Sequence, residues 1–430
     1  MKRCLIITLY WPPAGGPGVQ RWLKFVRYLR EFGWEPIVFT PENPETPAKD
    51  ASLLEEVPDG ITVLKIPIRE PYRWYRSLTG RKGGADIGFT NSGQSSGFAD
   101  KLIRWIRGNL FIPDARKSWV KPAVGFLCQY LKEHPADVLI STGPPHSMHL
   151  IGKQVKDKTG LPWVADFRDP WTGIDFYDDL MLSSWADKKH HRLERQVLES
   201  ADFVVTVSGH IKKELENKGA NRVEVITNGF DEADFSGTTQ EPDNGFIITH
   251  AGSLIPSRNP HTFWKVLGKL IKAKADFSNN VTIRLIGKTD IGVKASIEEN
   301  GLEPYVEFSE YLSHSEMIEM LYRSQVLLLL INKTRNAEGF LTGKLFEYLA
   351  VGRSILCIGP PQGEAAQLLN TTKAGTCIDF DDETNLQKTI SSLYKEWKKQ
   401  GSIPMNTKNI SSYSRRNLTK QLAVVLDSVG

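Results

Sequence analysis

Residues 336–360, NAEGFLTGKLFEYLAVGRSILCIGP, predict a loop, a short helix and a buried strand in succession. Thr342 and Gly343 suit the start of a helix, and Gly352 suits its end. The apolar face of this helix comprises Leu345, Phe346, Leu349 and Ala350. Residues 354–358 are a short apolar run of the kind found in buried parallel strands.

The start of this helix is a candidate anion site, because its first amides have no internal partner and the helix dipole is positive there. Lys344 lies beside those amides, and Glu347 lies five residues past Thr342, about 7.5 Å further along the helix at about 1.5 Å per residue. That separation suits a diphosphate at Thr342, Gly343 and Lys344 with a ribose diol at Glu347, as in a bound sugar nucleotide. The alternative is a solvated Lys–Glu pair on an ordinary amphipathic helix.

The run Thr-Gly-Lys-Leu-Phe-Glu-Tyr-Leu-Ala-x-Gly resembles the family-4 retaining glycosyltransferases of the GT-B fold. In that family two glutamates flank the loop and helix, the first serving the donor sugar and the second the ribose. The resemblance gives these roles to Glu338 and Glu347. Eight residues separate them here, where the family usually has seven.

Length and composition indicate a two-domain globular protein. A chain of 430 residues exceeds one ordinary core, and 40% hydrophobic with 24% charged residues is typical of soluble domains. The net charge of +4 does not indicate nucleic acid as a partner. Four widely spaced cysteines predict reduced thiols, and no apolar run approaches the ~20 residues of a membrane helix. We therefore expect a cytoplasmic protein, or one peripheral on the inner face of the cytoplasmic membrane.

The N-terminus predicts a βαβ unit and hence an open parallel sheet. A buried strand at residues 4–9 is followed by the loop YWPPAGGPG, an amphipathic helix and a strand at residues 36–40. Ligands bind such sheets at the carboxyl ends of strands, where this loop lies. The family resemblance places Gly15 and Gly16 of this loop near the transfer site; the alternative is a plain Gly/Pro turn.

Two segments between residues 80 and 121 are unusual in composition. Residues 80–100 are rich in Gly and Ser, which predicts a mobile insertion. Residues 101–121 carry six basic residues against one acidic residue, interleaved with Trp, Leu, Ile and Phe. Such a segment can lie on an anionic membrane surface, and a core-packed helix with a solvated basic face has the same pattern.

Polar residues follow two further predicted strands. His146 comes just after the strand at residues 137–142, where a histidine can assist proton movement. Asp166, Arg168 and Asp169 follow the strand that begins at Trp163, and we expect them to line the cleft. The alternatives are a histidine that caps or packs in a turn and a cluster of charges that satisfy one another. The GPPHSMHL and ADFRDPW runs resemble a bacterial branch of the same family, mostly acting in surface polysaccharide assembly.

The second half of the chain begins another α/β domain after a polar linker at residues 236–244. The preceding Asn-Gly-Phe-Asp, residues 228–231, resembles the junction between domains in the family. Arg258 can pair bidentately with phosphate, and the resemblance makes it a cation for the donor diphosphate, together with Lys344. The Asp379-Phe-Asp-Asp run is similar to a metal motif, but its position before a helix favours a cap, and the spacing of His and Cys indicates no metal site.

We therefore predict two doubly wound Rossmann-like α/β domains facing across a cleft, as in GT-B enzymes. Residues 1–235 form the acceptor-side domain, residues 236–410 the nucleotide-sugar domain, and residues 411–430 a helix crossing back to the first. The resemblance implies transfer of a hexosyl or related sugar from a nucleotide-diphospho-sugar to a glycan or lipid-linked acceptor. It also implies retention of configuration, and because Arg258, Lys344 and the helix amides would receive the charge of the leaving diphosphate, we expect no metal and no cofactor. Alternatives are a sugar-nucleotide epimerase or hydrolase on the same fold, and a non-catalytic sugar-nucleotide-binding protein.

Overall fold

The computed structural model describes residues 1–46, 49–69, 105–106, 108–235, 240–310, 312–405 and 407–430. The chain divides into two compact units. The first unit is Met1–Thr227 with Arg415–Gly430, and the second is Asn228–Ser414. The predicted insertion at residues 80–100 lies outside the described residues, as do residues 101–104 and 107 of the basic segment.

The described part of the first unit contains a parallel sheet of seven strands in the order β3-β2-β1-β4-β5-β6-β7. The strands are β1 (Lys2–Ile7), β2 (Trp34–Pro41), β3 (Thr62–Ile66), β4 (Val138–Gly143), β5 (Trp163–Phe167), β6 (Phe203–Thr206) and β7 (Val223–Val225). The helices are α1 (Pro17–Leu29), α2 (Lys117–Glu133), α3 (Ser147–Thr159), α4 (Ser184–Ser200), α5 (Gly209–Asn217) and, from the end of the chain, α13 (Arg415–Asp427).

Helices cover both faces of the first sheet, which explains why its central strands are apolar without alternation. In β1 the residues from Cys4 to Ile7 are fully buried. Trp119 of α2 and Met148 of α3 pack on one face of the sheet. Trp22 of α1 and Leu422 of α13 pack on the other.

The second unit repeats this architecture with six parallel strands in the order β10-β9-β8-β11-β12-β13. The strands are β8 (Phe246–Ala251), β9 (Val281–Ile286), β10 (Val306–Ser309), β11 (Val326–Leu330), β12 (Ser354–Ile358) and β13 (Gly375–Ile378). The helices are α6 (His261–Ala273), α7 (Ala275–Ser278), α8 (Ile291–Glu299), α9 (His314–Tyr322), α10 (Gly343–Val351), α11 (Glu364–Thr372) and α12 (Glu383–Gln400). Residues 336–360 contain α10 and β12, and both elements have the bounds expected from the sequence.

The boundaries between the two units lie at other residues than the composition predicted. The first change comes after Thr227, because Phe230 and Phe235 stack edge to face at 6.0 Å and pack in the core of the second unit. The second comes after Ser414, because the ring of Tyr413 lies 5.6 Å from that of Phe346. Aromatic side chains that pack in the second unit therefore assign these otherwise polar stretches to it.

The basic segment at residues 101–121 is not one continuous helix in its described part. Residues 108–110 are helical, residues 111–113 form a bend, and α2 begins at Lys117. Ile112 and Trp119 are buried whereas Leu110 is exposed. The segment thus has both a core-packed part and an exposed part.

Candidate functional site

Each sheet has one point where the order of strands reverses direction, and ligand sites of parallel sheets lie at the carboxyl ends of the strands there. In the second unit this point lies between β8 and β11. The loop after β8 begins at Gly252, and the loop after β11 leads through Glu338 to α10. The residues that follow these two strands therefore form the candidate site of the second unit.

Gly252 leaves room for the side chain of Lys344 because glycine has no Cβ. It has a φ of +117°, and a Cβ at this position would lie 1.9 Å from Lys344 Nζ. Its amide donates to the carbonyl of Ile286 at 2.7 Å, and Gly287, with a φ of +111°, lies directly against it. A side chain at residue 252 would therefore strain the turn and displace the ammonium group.

Tyr348 fixes α10 against β8. Its hydroxyl accepts a hydrogen bond from the amide of Ala251 at 2.9 Å, and the ring is fully buried. Burial raises the pKa of Tyr348, so the hydroxyl stays protonated. This bond holds the start of α10, and with it Lys344, beside the Gly252 loop.

Two cations at this site have no carboxylate partner within salt-bridge distance in the described part of the chain. Lys344 forms no such pair there, and Arg258 donates through Nε to the side-chain oxygen of Asn332. Burial, with the positive charge of Arg258, lowers the pKa of Lys344 to about 8, although Glu347 opposes this. Burial also lowers the pKa of Arg258. Two positive charges held this way attract an anion strongly.

The amino end of α10 adds neutral donors to the same site. Thr342 is the residue that precedes the helix, its side chain makes no capping bond, and its Oγ1 is buried without a partner in the described structure. Gly343 is exposed at the first position of the helix. The free amides, Thr342 Oγ1 and Lys344 can therefore all reach an anion.

The two glutamates of the opening stretch have neighbours of their own. Glu347 lies on α10, and its carboxylate is 3.3 Å from Nε2 of His314 at the start of α9. Glu338 lies in a short turn, Ala337–Gly339, and accepts a hydrogen bond from Gln362 at 3.1 Å. Both carboxylates lie in the second unit and follow β11.

The switch point of the first unit lies between β1 and β4, and His146 and the Gly-rich loop follow these two strands. His146 precedes α3 and stacks on Trp171, with ring centroids 4.6 Å apart and planes at 5°. Burial, with the neighbouring His149, lowers the pKa of His146 well below its usual value. His146 is therefore a neutral imidazole at physiological pH.

Gly15 and Gly16 shape the end of the loop after β1. Gly16 has a φ of +93° and precedes α1, which begins with Pro17. A Cβ on Gly15 would lie 3.1 Å from the Cβ of Asp50. The glycines let the chain turn sharply into α1, and no described contact gives them a ligand-binding role.

The charges after β5 have different environments. Asp166 is buried and accepts from Arg21, from Trp22 Nε1 at 2.7 Å and from Thr142 at 2.8 Å. Arg21 and the other donors hold the pKa of this carboxyl below its usual value although burial opposes them. Asp166 therefore joins α1 to the sheet as an internal charge, the alternative that the sequence left open.

Arg168 also holds backbone together. Its guanidinium donates to the carbonyls of Gly143 at 3.2 Å, Gly18 at 2.9 Å and Pro144. It thereby joins the loop after β4, which carries His146, to the start of α1. Asp169 is exposed.

Several residues of the site escaped prediction from the sequence. Asn332, His314, Tyr348 and Gly252 contact Arg258, Glu347, the Ala251 amide and Lys344, respectively. The glycine that ends the strand in Ala-Gly-Ser was a usable signal, because a glycine at a strand end marks close backbone approach. Asn332 lies in a polar loop and His314 at the polar start of α9, and neither stands out from the similar residues around it.

Two features outside these sites concern metals and membranes. In the described ranges no three His, Cys, Asp or Glu residues group as metal ligands. Asp382 of the Asp379-Phe-Asp-Asp run accepts from the amide of Asn385 at 2.9 Å and so caps α12. Among the helices that the structure describes, each is too short or too polar to cross a bilayer.

Comparison with known families identifies the fold. Residues 15–229 match the glycosyl transferase 4-like domain, and residues 231–410 match glycosyl transferases group 1. The chain belongs to the family-4 glycosyltransferases of the GT-B fold. The two matched regions follow the two units closely, so this glycosyltransferase carries both halves of the family architecture.

Solved structures of the same fold cover nearly the whole of this glycosyltransferase at low sequence identity. A glycosyltransferase from Rickettsia africae ESF-5 has 13% identity and a TM-score of 0.62, over 100% of this chain and 98% of its own. Trehalose-6-phosphate from E. coli, bound with UDP-2-fluoro glucose, has 10% identity and a TM-score of 0.61 over the full length of both. WaaG, a glycosyltransferase involved in lipopolysaccharide biosynthesis, has 15% identity and a TM-score of 0.55, over 98% and 99%. No curated protein matches the chain in sequence.

Proposed function

We propose that this glycosyltransferase moves a hexosyl or related sugar from a nucleotide-diphospho-sugar to a hydroxyl of a glycan or lipid-linked acceptor. The observation that carries the proposal is the pair of cations, Lys344 and Arg258, that lack a carboxylate partner in the described structure and adjoin the free amides of α10. A diphosphate supplies the negative charge that this site lacks.

The chemistry needs stabilisation of the leaving group above all. The bond from the anomeric carbon to the diphosphate oxygen breaks, and a bond from the acceptor oxygen to that carbon forms. Negative charge grows on the leaving diphosphate, where Lys344, Arg258 and the helix amides are preorganised to receive it. We propose that these groups take the role of a metal ion, so that transfer needs no added cation or cofactor.

The nucleoside end of the donor is assigned to Glu347. Its carboxylate can accept from two ribose hydroxyls, and His314 at 3.3 Å limits the positions it can take. Its place five residues beyond Thr342, about 7.5 Å along the helix, suits a ribose whose diphosphate lies at the helix start.

The sugar itself is assigned to Glu338 and His146. As the resemblance implies, transfer proceeds with retention, and the leaving phosphate accepts the acceptor's proton, so neither residue has to act as a base. We propose that Glu338 and His146 hold sugar hydroxyls, with Gly15 and Gly16 giving the backbone close access. WaaG, which shares this fold, supports a role in surface polysaccharide synthesis.

Nucleotide binding tests the donor site directly. Calorimetry with UDP, GDP, ADP and their sugars, with and without EDTA, should show saturable binding of one nucleotide that EDTA leaves unchanged. Glu347→Gln should weaken that binding about tenfold, because two hydrogen bonds to a charged acceptor lose strength. Glu319→Gln, an exposed carboxylate on α9, is the control and should bind like the parent.

The other outcomes separate the alternatives. Binding of none of these nucleotides would contradict the proposed donor site. Binding with interconversion of the sugar nucleotide in the absence of any acceptor would replace transfer by epimerisation. Nucleotide binding without turnover across a panel of acceptors would support the non-catalytic alternative, a sugar-nucleotide-binding protein.

We further propose that the first unit contacts an anionic membrane on the cytoplasmic side. Trp185 is 62% exposed, and Lys189 Nζ lies 4.6 Å from its ring centroid. Asn109 bonds both to the carbonyl of Met181 and to the amide of Ser183, which brings the exposed Leu110 and Met181 to the same surface. Exposed Trp and Met beside Lys suit the interface of a bilayer with anionic headgroups.

Vesicle flotation tests this surface. Trp185→Ala with Lys189→Ala should reduce association with phosphatidylglycerol vesicles several-fold, with little binding of either protein to neutral vesicles. The matched control is Phe308→Ala with Lys294→Ala in the second unit, where an exposed ring has a lysine 5.3 Å from its centroid. Equal binding by both double variants would remove the membrane role from this surface.

A further inference from the structure

A chain of hydrogen bonds runs through the core of the first unit toward His146. Trp163 Nε1 donates to Ser141 Oγ at 2.9 Å, and Ser141 Oγ lies 2.9 Å from His149 Nδ1. All three residues are completely buried. They belong to β5, β4 and α3, so the chain joins two strands to the helix that follows His146.

The direction of each hydrogen bond in this network, from donor to acceptor, can be assigned. An indole N–H can only donate, so Ser141 Oγ accepts from Trp163. The hydroxyl proton of Ser141 then has His149 Nδ1 as its one remaining partner in the described structure, and a buried hydroxyl proton without an acceptor is costly. His149 Nδ1 therefore accepts, and the ring carries its proton on Nε2.

The protonated nitrogen of His149 and Nδ1 of His146 lie beside the same glycine. A Cβ on Gly143 would lie 2.5 Å from His149 Nε2 and 3.2 Å from His146 Nδ1, so both nitrogens converge beside this glycine. Both are buried and without a hydrogen-bond partner in the described structure. Two N–H groups converging on one point would repel each other, whereas an N–H facing a bare nitrogen is attractive.

We propose that Ser141 and His149 are positioning residues that hold His146 in the tautomer with a bare Nδ1 and a proton on Nε2. Nδ1 of His146 is buried without a partner in the described structure whereas Nε2 is not, and the residue keeps 8% of its surface exposed. His146 thus presents an N–H outward from the core.

This tautomer defines what His146 offers a substrate. An outward N–H donates a hydrogen bond to a sugar oxygen and cannot take a proton from an acceptor hydroxyl at that nitrogen. The hydrogen bond to a sugar oxygen rests on the proposed function, whereas the position of the proton on His146 does not. The lowered pKa of His146 agrees with a neutral donor.

Nitrogen-15 NMR of the ligand-free protein, labelled at histidine, tests the tautomers without any substrate. Signals are assigned by their loss in His146→Gln and His149→Gln. At pH 7 we expect both rings to be neutral with the proton on Nε2. A His146 ring with its proton on Nδ1, or a charged ring, would overturn the proposal, whatever nucleotide the protein binds.

Removing the Ser141 hydroxyl tests whether the hydrogen bond from Ser141 to His149 fixes the tautomer. In Ser141→Ala, His149 loses its fixed tautomer, so His146 should become a mixture of both, and kcat/KM for the donor should fall about threefold to tenfold. Thr206→Val is the matched control, because it removes a buried hydroxyl that donates to the carbonyl of Phe167 at 2.9 Å in the same unit. It should leave the His146 signal unchanged, and equal loss of the tautomer in both variants would show a general loosening of the core instead.

If the NMR result holds but Ser141→Ala leaves transfer unchanged, the tautomer stands and the assigned bond to the sugar is wrong. If no transfer is found for the parent protein, the proposed function fails while the tautomer measurement keeps its meaning.

Discussion

Individual charges in this protein are buried in two different ways. Asp166 and Arg21 are sealed together with further donors around the carboxylate, and each charge is neutralised within the fold. Lys344 and Arg258 have no such carboxylate in the described structure. These two side chains are only partly buried, and a protein retains such an uncompensated charge where a ligand supplies its partner, because the charge costs stability when the site is empty.

The pKa of Lys344 predicts how donor binding depends on pH. Because this pKa is about 8, Lys344 is charged below pH 8 and loses its proton above it in the free protein. The bound diphosphate favours the charged form, so affinity for the nucleotide sugar should fall above pH 8, approaching about tenfold per pH unit. Titration calorimetry between pH 6.5 and 9.5 measures this; in Lys344→Met the slope should vanish, and in Lys333→Met, which alters an exposed ion pair, it should persist.

The same shift predicts a gain in stability when the charge is removed. The folded-state pKa lies below the usual 10.5, so the unfolded chain binds the extra proton between pH 8 and 10.5, and the penalty is complete below pH 8. Lys344→Met should therefore raise the Tm of the ligand-free protein at pH 7 by a few degrees, as a gain of about 1–2 kcal/mol would. Differential scanning fluorimetry measures this, and a lowered Tm would contradict it.

At the scale of elements, the loops after strands carry the chemistry and the helices hold them in place. Tyr348 of α10 bonds to the end of β8, and Arg168 bonds to the loop after β4. Most predicted elements formed near their expected bounds, as at β9 and β12, because apolar runs and glycine stops are local signals. The geometry of the Gly252 turn depends on Lys344, far away in sequence, and no local pattern predicts it.

Gly252→Ala should therefore show whether the geometry of this turn affects nucleotide binding separately from the folding stability of the protein. Alanine at this φ of +117° costs about 1 kcal/mol of folding free energy and also displaces Lys344 Nζ, so nucleotide affinity should fall at least about tenfold. Gly401→Ala is the control, since Gly401 also has a positive φ, +73°, with no heavy atom within 4 Å of its Cβ position. Both variants should unfold at lower urea concentration, and only the first should lose nucleotide binding; equal binding would show that the turn tolerates a side chain.

At the scale of the whole molecule, the chain ends in the unit where it begins. Helix α13 follows the second unit in sequence, yet Leu418, Leu422 and Leu426 complete the core that α1 forms on the first sheet. Exposed contacts add to this, as between Arg416 and Glu31. The first unit therefore depends on residues that follow the second unit in sequence.

Truncation after Ser414 should destabilise the first unit selectively. Losing these leucines exposes the apolar face of α1, at a cost of several kcal/mol. Hydrogen exchange should show loss of protection in α1 and β1, while β8, β11 and α10 retain theirs and nucleotides still bind. Uniform loss of protection in both units would show that the two fold as one.

The sequence alone was enough to predict two α/β sheets and the helix start at Thr342, because hydrophobic period, caps and glycine stops act over a few residues. It left open whether Asp166 serves a ligand or the core, it placed the boundaries after residues 235 and 410 where the units divide after Thr227 and Ser414, and it did not show that His149 lies beside His146. Tertiary structure settled these points, since a carboxylate's role depends on the donors that surround it, and here Arg21 comes from a distant helix. The same holds for a histidine's tautomer, which is set by whatever hydroxyl the fold places against its other nitrogen.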